Sequence, residues 1–184
     1  MANVFIIHGA YGSPDENWIP WLKKELDKPG CEVYAPKFPT PENHNLDSWS
    51  KVFSGYEKYT ENSIFVGHSM GAAFILRLLE KTDEKIKAAF LISGFAGFLG
   101  DEKFDGLNKT FLEKPFDWKK IRQNCKSFYV FHSDNDPYIP LSKAEELAKS
   151  LNAELIIVKN AGHFNKASGY IKFELLLEKI NKEL

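Results

Sequence analysis

Cysteine is scarce in this chain. There are two among 184 residues, Cys31 and Cys125, far apart and in no CxxC pair, which supports neither a metal motif nor a redox motif. They read as two half-buried thiols in a reducing compartment. An excess of either charge is missing too: 24 lysines and arginines face 25 aspartates and glutamates, for a formal net charge of −1. That balance argues against electrostatic binding to nucleic acid or to an anionic membrane. No apolar run approaches the roughly 18 residues of a membrane span. The opening MANVFIIHGA carries no basic region, and its apolar run is too short for a secretory signal. Internal repeats and low-complexity segments are absent as well. The expectation is a cytoplasmic protein without nucleic-acid or membrane partners; nothing points to a protein partner.

What is present is a core. Hydrophobic residues make up 43% of the chain and aromatics 14%. A chain of this length fits one domain, residues 1–184, and can bury a sizeable core without disulfides or metals. The aromatics suit either a large core or an aromatic-lined cavity.

Short apolar runs alternate with helical patterns. Val4-Phe5-Ile6-Ile7 ends at His8-Gly9 and reads as a strand buried on both faces. Ser13, Pro14 and Glu16 have the spacing of a capping box, ahead of helical repeats at Trp18, Trp21, Leu22 and Leu26. Further strands are expected at Glu32–Ala35, Ile64–Val66, Ala88–Ile92, Phe128–Phe131 and Leu155–Val158. Helices are expected at Leu46–Tyr59, Ala72–Lys81, around Ala144–Leu151 and around Phe173–Leu184. Such alternation predicts an α/β fold: a doubly wound, mostly parallel sheet of about six strands with helices on both faces. Residues 94–124, rich in glycine and aromatics, break the rhythm and read as an insert forming a small lid or pocket wall.

Gly67-His68-Ser69-Met70-Gly71 sits where a strand meets a helix. A turn that sharp strains its central residue and needs small neighbours two positions away. It would expose the Ser69 hydroxyl at the C-terminal edge of the sheet, where open α/β sheets bind ligands. G-x-S-x-G in this setting is the pattern of a nucleophile elbow.

A serine hydroxyl needs a base to become a nucleophile. Of five histidines, His44 lies in a proline-rich loop and is expected to be solvated. His8 and His68 end strands, where backbone packing or pocket lining is expected. His132 is read as a core residue or one that supports the site from behind. His163, in Asn160-Ala161-Gly162-His163-Phe164 beyond the last strand, is placed to turn back toward Ser69. For the acid, Asp136 is favoured because Pro137 stiffens the chain behind it; Asp134 is the runner-up, with Asp101 and Asp105 more remote. The order Ser69, Asp136, His163 is that of α/β-hydrolases. Backbone N–H groups of Met70 and Ala10 are the candidate oxyanion donors. Tyr11, Trp18, Phe95, Phe98 and Phe164 are candidates for the pocket wall. No cofactor or metal is required.

The strand with its HG turn, the GHSMG elbow, SDNDPYIP and AGHF together resemble the α/β-hydrolase superfamily over nearly the whole chain. HGAYGSPDENWIPWLKKEL and LISGFA resemble a small serine hydrolase family that includes a vertebrate retinoblastoma-binding member. The resemblance implies a compact α/β-hydrolase fold and ester- or amide-directed hydrolysis of a small acyl substrate, with the nucleophile at Ser69, the acid at Asp136 and the base at His163. The Leu-x-Cys-x-Glu motif expected of retinoblastoma binding is absent. The alternative expectation is a ligand- or protein-binding module on a hydrolase scaffold with little turnover.

Overall fold

Val4 and Ile6 point to one side of a strand and Phe5 and Ile7 to the other, and both sides are buried. That two-faced burial repeats across a single sheet. The computed structural model describes residues 2–184. Its six strands are β1 (Asn3–Ile7), β2 (Glu32–Tyr34), β3 (Ile64–His68), β4 (Ile86–Ile92), β5 (Cys125–Ser133) and β6 (Glu154–Val158). They run in the order β2-β1-β3-β4-β5-β6, every pair parallel.

Six helices connect them and a seventh follows β6: α1 (Ile19–Asp27), α2 (Leu46–Phe53), α3 (Met70–Lys81), α4 (Glu102–Leu112), α5 (Trp118–Gln123), α6 (Leu141–Leu151) and α7 (Glu174–Glu183). Helices α1 and α7 cover the face that carries Val4, Ile6, Val66 and Phe90. The other five pack on the face of Phe5, Ile7, Phe65 and Leu91. α3 is buried along nearly its whole length. That is why its sequence, MGAAFILRLLEK, has almost no polar stripe.

Several boundaries differ from the sequence expectation. Ser13 does not cap a helix; its hydroxyl accepts the Asp15 amide at 3.3 Å, and α1 starts at Ile19. Asn17 holds the intervening segment as a loop, at φ +55° with its side-chain oxygen on the Lys166 amide. The helix expected over Leu46–Tyr59 stops at Phe53 and tightens into a 3₁₀ turn over Ser54–Tyr59. Gly55 is a poor helix former, and the Ser54 hydroxyl turns back onto the Lys51 carbonyl. β5 is longer than the four-residue run expected.

Residues 94–124 contain α4 and α5, capped by Asp101 and Asp117. Arg77 of α3 ties this segment down. It donates to the carbonyls of Phe111, Lys114 and Pro115, pairs with Glu80 at 2.7 Å, and lies 3.6 Å over the Phe116 ring. Among the described residues, no helix is long and apolar enough to cross a membrane.

The strand order reverses between β1 and β3: the chain leaves β1 for β2 on one side, then returns to place β3 on the other. At such a point the two outgoing loops diverge and open a crevice at the strands' C-terminal ends.

Candidate active site

Ser69 stands at that crevice. It follows β3 directly and precedes α3, with φ +53° and ψ −118°. Its amide donates to the Ile92 carbonyl at 2.8 Å, and its carbonyl accepts the Ala72 amide at 3.0 Å. The flanking glycines have a measurable reason. A β-carbon at Gly71 would lie 2.3 Å from the Ile7 carbonyl oxygen, and one at Gly67 2.8 Å from the Ala72 amide nitrogen. Backbone cannot yield to such contacts, so the turn excludes any larger residue at either position.

Strain concentrates here. Among the described residues, four that are neither glycine nor asparagine adopt positive φ: Tyr11, Ser69, Ser93 and Phe164. All four follow the C-terminal ends of strands β1, β3, β4 and β6. Backbone strain of this kind persists where the surroundings over-determine it, and it gathers at functional sites.

A cavity of about 410 Å³ opens at this edge, and Ser69 and His163 both line it. Ala10, Tyr11, Glu16, Asn17, Phe104 and Tyr138 form much of the remaining wall. A second cavity, about 400 Å³, opens at the opposite end of the sheet beside Phe53, Thr82 and Ile86. No imidazole lines it, so the site is placed by its chemistry rather than by cavity size.

His163 Nδ1 lies 2.8 Å from Asp136 Oδ2. A carboxylate accepts only, so Nδ1 carries the proton and the neutral ring keeps Nε2 as a base. The Asp136 side chain is fully shielded from solvent and that of His163 is 10% exposed. Burial pushes the Asp136 carboxyl toward the protonated form. The hydrogen bond and charge of His163, the Tyr138 amide and the Ser93 hydroxyl outweigh it and hold the group below the usual carboxylate range.

The loop bearing His163 is fixed residue by residue. The Asn160 amide donates to Asp134 Oδ1 at 2.8 Å, Ala161 to Ser133 Oγ at 2.9 Å and Gly162 to Asn135 Oδ1 at 2.8 Å. His68 Nε2–H donates to the His163 carbonyl at 2.8 Å, and Trp18 Nε1–H to the Phe164 carbonyl at 2.9 Å. The runner-up acid Asp134 is thus spent on backbone. Asp101 caps α4, and Asp105 accepts the amides of Leu99 and Gly100.

Two further histidines shape the site as neutral rings. His8 Nε2 accepts the Phe38 amide at 3.0 Å, so its proton sits on Nδ1 and goes to the Gly9 carbonyl at 2.8 Å. Burial lowers its pKa. His68 is held down to about 3, first by burial and then by the neighbouring His163. In the β1–α1 loop the Tyr11 and Gly12 amides are engaged with Thr40 Oγ1 and the Gly9 carbonyl. Met70 opens α3, where a first-turn N–H has no partner within the helix.

Four of the five aromatic candidates for the pocket wall sit elsewhere. Trp18, Phe95 and Phe164 are buried core residues. Trp18 and Phe164 pack with Phe173 beneath α7, and Phe95 packs beside Phe104 on the opposite face. Phe98 is 45% exposed and does not line the cavity. Tyr11 does line it, and Phe104 and Tyr138 join it there. His44 also differs from expectation. It is buried between Trp49 and Phe111, with Nε2 2.8 Å from Asn108 Oδ1, because α4 covers its loop. Sequence reasoning missed Ser93, whose hydroxyl donates to Asp136 Oδ2 at 2.7 Å, and the clamp formed by Ser133, Asp134 and Asn135. They lie within LISGFA and SDNDPYIP, but nothing in either stretch shows what they hold; only the proximity of β4, β5 and the last loop does.

Known proteins resemble this chain in sequence and fold. The YdeN protein of Bacillus subtilis is 33% identical over 187 residues, covering 98% of this chain and 97% of its own. The serine hydrolase RBBP9 of Rattus norvegicus is 30% identical, over 80% of this chain and 77% of its own. The crystal structure of the B. subtilis ydeN product superposes with a TM-score of 0.93, covering 100% of this chain and 98% of that one at 30% identity. The serine hydrolase family model matches residues 4–182. A chain with this sheet and this match over nearly its full length belongs to the serine hydrolase family, on an α/β-hydrolase fold.

Proposed function

We propose that the protein hydrolyses a carboxylic ester or related acyl bond of a small molecule, with Ser69 as nucleophile, His163 as base and Asp136 as the acid that orients it. The observation that carries this reading is that His163, which lines the same cavity as Ser69, pairs through Nδ1 with the buried Asp136 behind it. Ser69 Oγ attacks the acyl carbon while its proton passes to His163 Nε2. The imidazolium that forms is stabilised by Asp136, which keeps its own charge. The tetrahedral oxyanion lies between the N–H groups of Met70 and Ala10. With the Tyr11 and Gly12 amides engaged elsewhere, Ala10 is the better loop donor. Collapse expels the alcohol, which takes the proton from Nε2. Water then repeats the sequence on the acyl-enzyme and releases the acid.

The segment 94–124 serves as a wall of this cavity, through Phe104. Its anchoring by Arg77 favours a fixed wall over a swinging lid.

The test is labelling with a fluorophosphonate probe, together with hydrolysis of p-nitrophenyl butyrate. Modification is expected at Ser69, and Ser69→Ala is expected to lose at least about 10⁴-fold in rate while folding normally. Near-parental turnover in that variant would overturn the nucleophile. Folded protein that takes no label would favour a binding module on the same scaffold.

A further inference from the structure

We propose that Ser93 is a positioning residue of the Asp136–His163 pair: its hydroxyl holds Asp136 Oδ2 and shares that oxygen with the imidazole. In doing so it sets how strongly the carboxylate draws a proton onto the base. The inference rests on the assignment of His163 as base and Ser69 as nucleophile.

A carboxylate offers about four acceptor positions. At Asp136 all four are taken. Oδ1 accepts the amides of Tyr138 at 2.9 Å and Ile139 at 3.1 Å; Oδ2 accepts the Ser93 hydroxyl at 2.7 Å and His163 Nδ1–H at 2.8 Å. The two amides come from the turn that carries Asp136 and fix one oxygen. Ser93 directly follows β4, the strand beside β5, and fixes the other. The plane of the carboxylate, and so the direction from which His163 is held, is therefore set from two elements.

Ser93 occupies a costly conformation. It is fully buried with φ +46°, in a region that a glycine enters freely and a serine does not. Its amide is tied to the Phe131 carbonyl at 2.9 Å. The next residue, Gly94, abuts the nucleophile helix, where a β-carbon would lie 2.8 Å from the Ala72 Cβ. A side chain kept in a strained, solvent-free turn needs a reason, and the hydroxyl on Asp136 supplies one.

The charge consequence has a definite sign. The Ser93 hydroxyl stabilises the carboxylate anion. Without it, Asp136 binds a proton more readily, and its charge on Oδ2 falls wholly on the imidazole. Either way the pair takes up its proton at higher pH, and the acid limb of activity belongs to the pair rather than to one residue. Other groups around the pair are His68 and Tyr138, whose rings lie 4.9 and 5.0 Å from that of His163, His132 behind it, and Glu16 across the cavity. None of them bonds to Oδ2, so the effect is specific to Ser93.

The experiment compares the parent with Ser93→Ala and Ser93→Gly. Glycine removes the hydroxyl while relieving the φ strain, so it folds even if alanine does not. Two readouts are taken: the pH dependence of kcat/KM, and the NMR titration of the residue 163 imidazole, assigned with His163→Gln. The second is independent of turnover. Both variants are expected to move the acid limb and the imidazole midpoint upward together, by about half a pH unit or more. The plateau is expected to fall by roughly tenfold. Midpoints that coincide with the parent, or that move downward, would overturn the assignment. A parent in which Ser69 takes no fluorophosphonate would overturn the hydrolase reading instead, and the imidazole titration would still decide on Ser93.

Discussion

Gly9 and Ser69 face one another across the ends of β1 and β3 with no room between them. A β-carbon built at Gly9 would stand 2.9 Å from the Ser69 Cβ and 3.5 Å from its Oγ. The first strand's outgoing loop therefore touches Ser69 itself. This close approach follows from the strand order, which makes β1 and β3 neighbours although some 55 residues separate them in the chain.

Gly9→Ala is expected to fold but to lose about 10²-fold in hydrolysis, because the methyl group displaces the Ser69 side chain from its line of attack. Gly71→Ala is expected to behave differently. Its methyl would meet the Ile7 carbonyl oxygen at 2.3 Å, and the fold should lose about 3 kcal/mol or more, read by urea unfolding. Equal stability loss in the two variants would contradict this division.

Asp136→Asn should cost about 10⁴-fold in kcat, since an amide there favours the wrong imidazole tautomer. Asp134→Asn should stay within about threefold of the parent, because the amide oxygen still accepts the Asn160 N–H. Steady-state kinetics on purified variants decides, and a larger loss at residue 134 would reverse the assignment.

Acid should unfold the protein early. His8, His44, His68 and His132 are buried, and burial lowers the pKa of each from 6.5, that of His68 to about 3. The unfolded chain binds protons that the native rings refuse. Stability is therefore complete above about pH 6.5 and falls as the pH drops below it, by up to about 1.4 kcal/mol per pH unit for each ring. Asp136, depressed in the fold, adds its loss lower down, as the pH falls below 3.8 through its native value. Thermal unfolding between pH 7.5 and 4.5 should show a falling Tm, with a shallower slope in His68→Gln. A Tm independent of pH over this range would contradict the buried neutral assignment.

Much of this was legible in the chain. Val4–Ile7 and Ile64–Val66 are apolar without alternation, which only a strand covered on both faces tolerates. Gly67-His68-Ser69-Met70-Gly71 reveals the sharp turn at Ser69 because its glycines answer a local constraint. The wall of the cavity was not legible. Trp18 and Phe164 have the size and the sequence position to line it. Yet Trp18 turns inward to bond the Phe164 carbonyl, and α7 closes over both rings. Phe104 does line it, yet nothing local in the sequence distinguishes it from Phe95 or Phe98. His44 looked solvated because its own neighbours are polar and proline-rich, while the helix that buries it lies more than fifty residues on.

By itself the sequence determined which residues could carry chemistry and which backbone turns they required, since glycine spacing, apolar runs and the order of serine, aspartate and histidine are properties of the chain alone. Only the tertiary structure decided which donors saturate Asp136, which residues pin the loop of His163, and which aromatic rings face the cavity instead of the core. Those outcomes depend on strands and loops far apart in sequence meeting at one edge of the sheet, and burial is a property of what covers a residue, not of the residue.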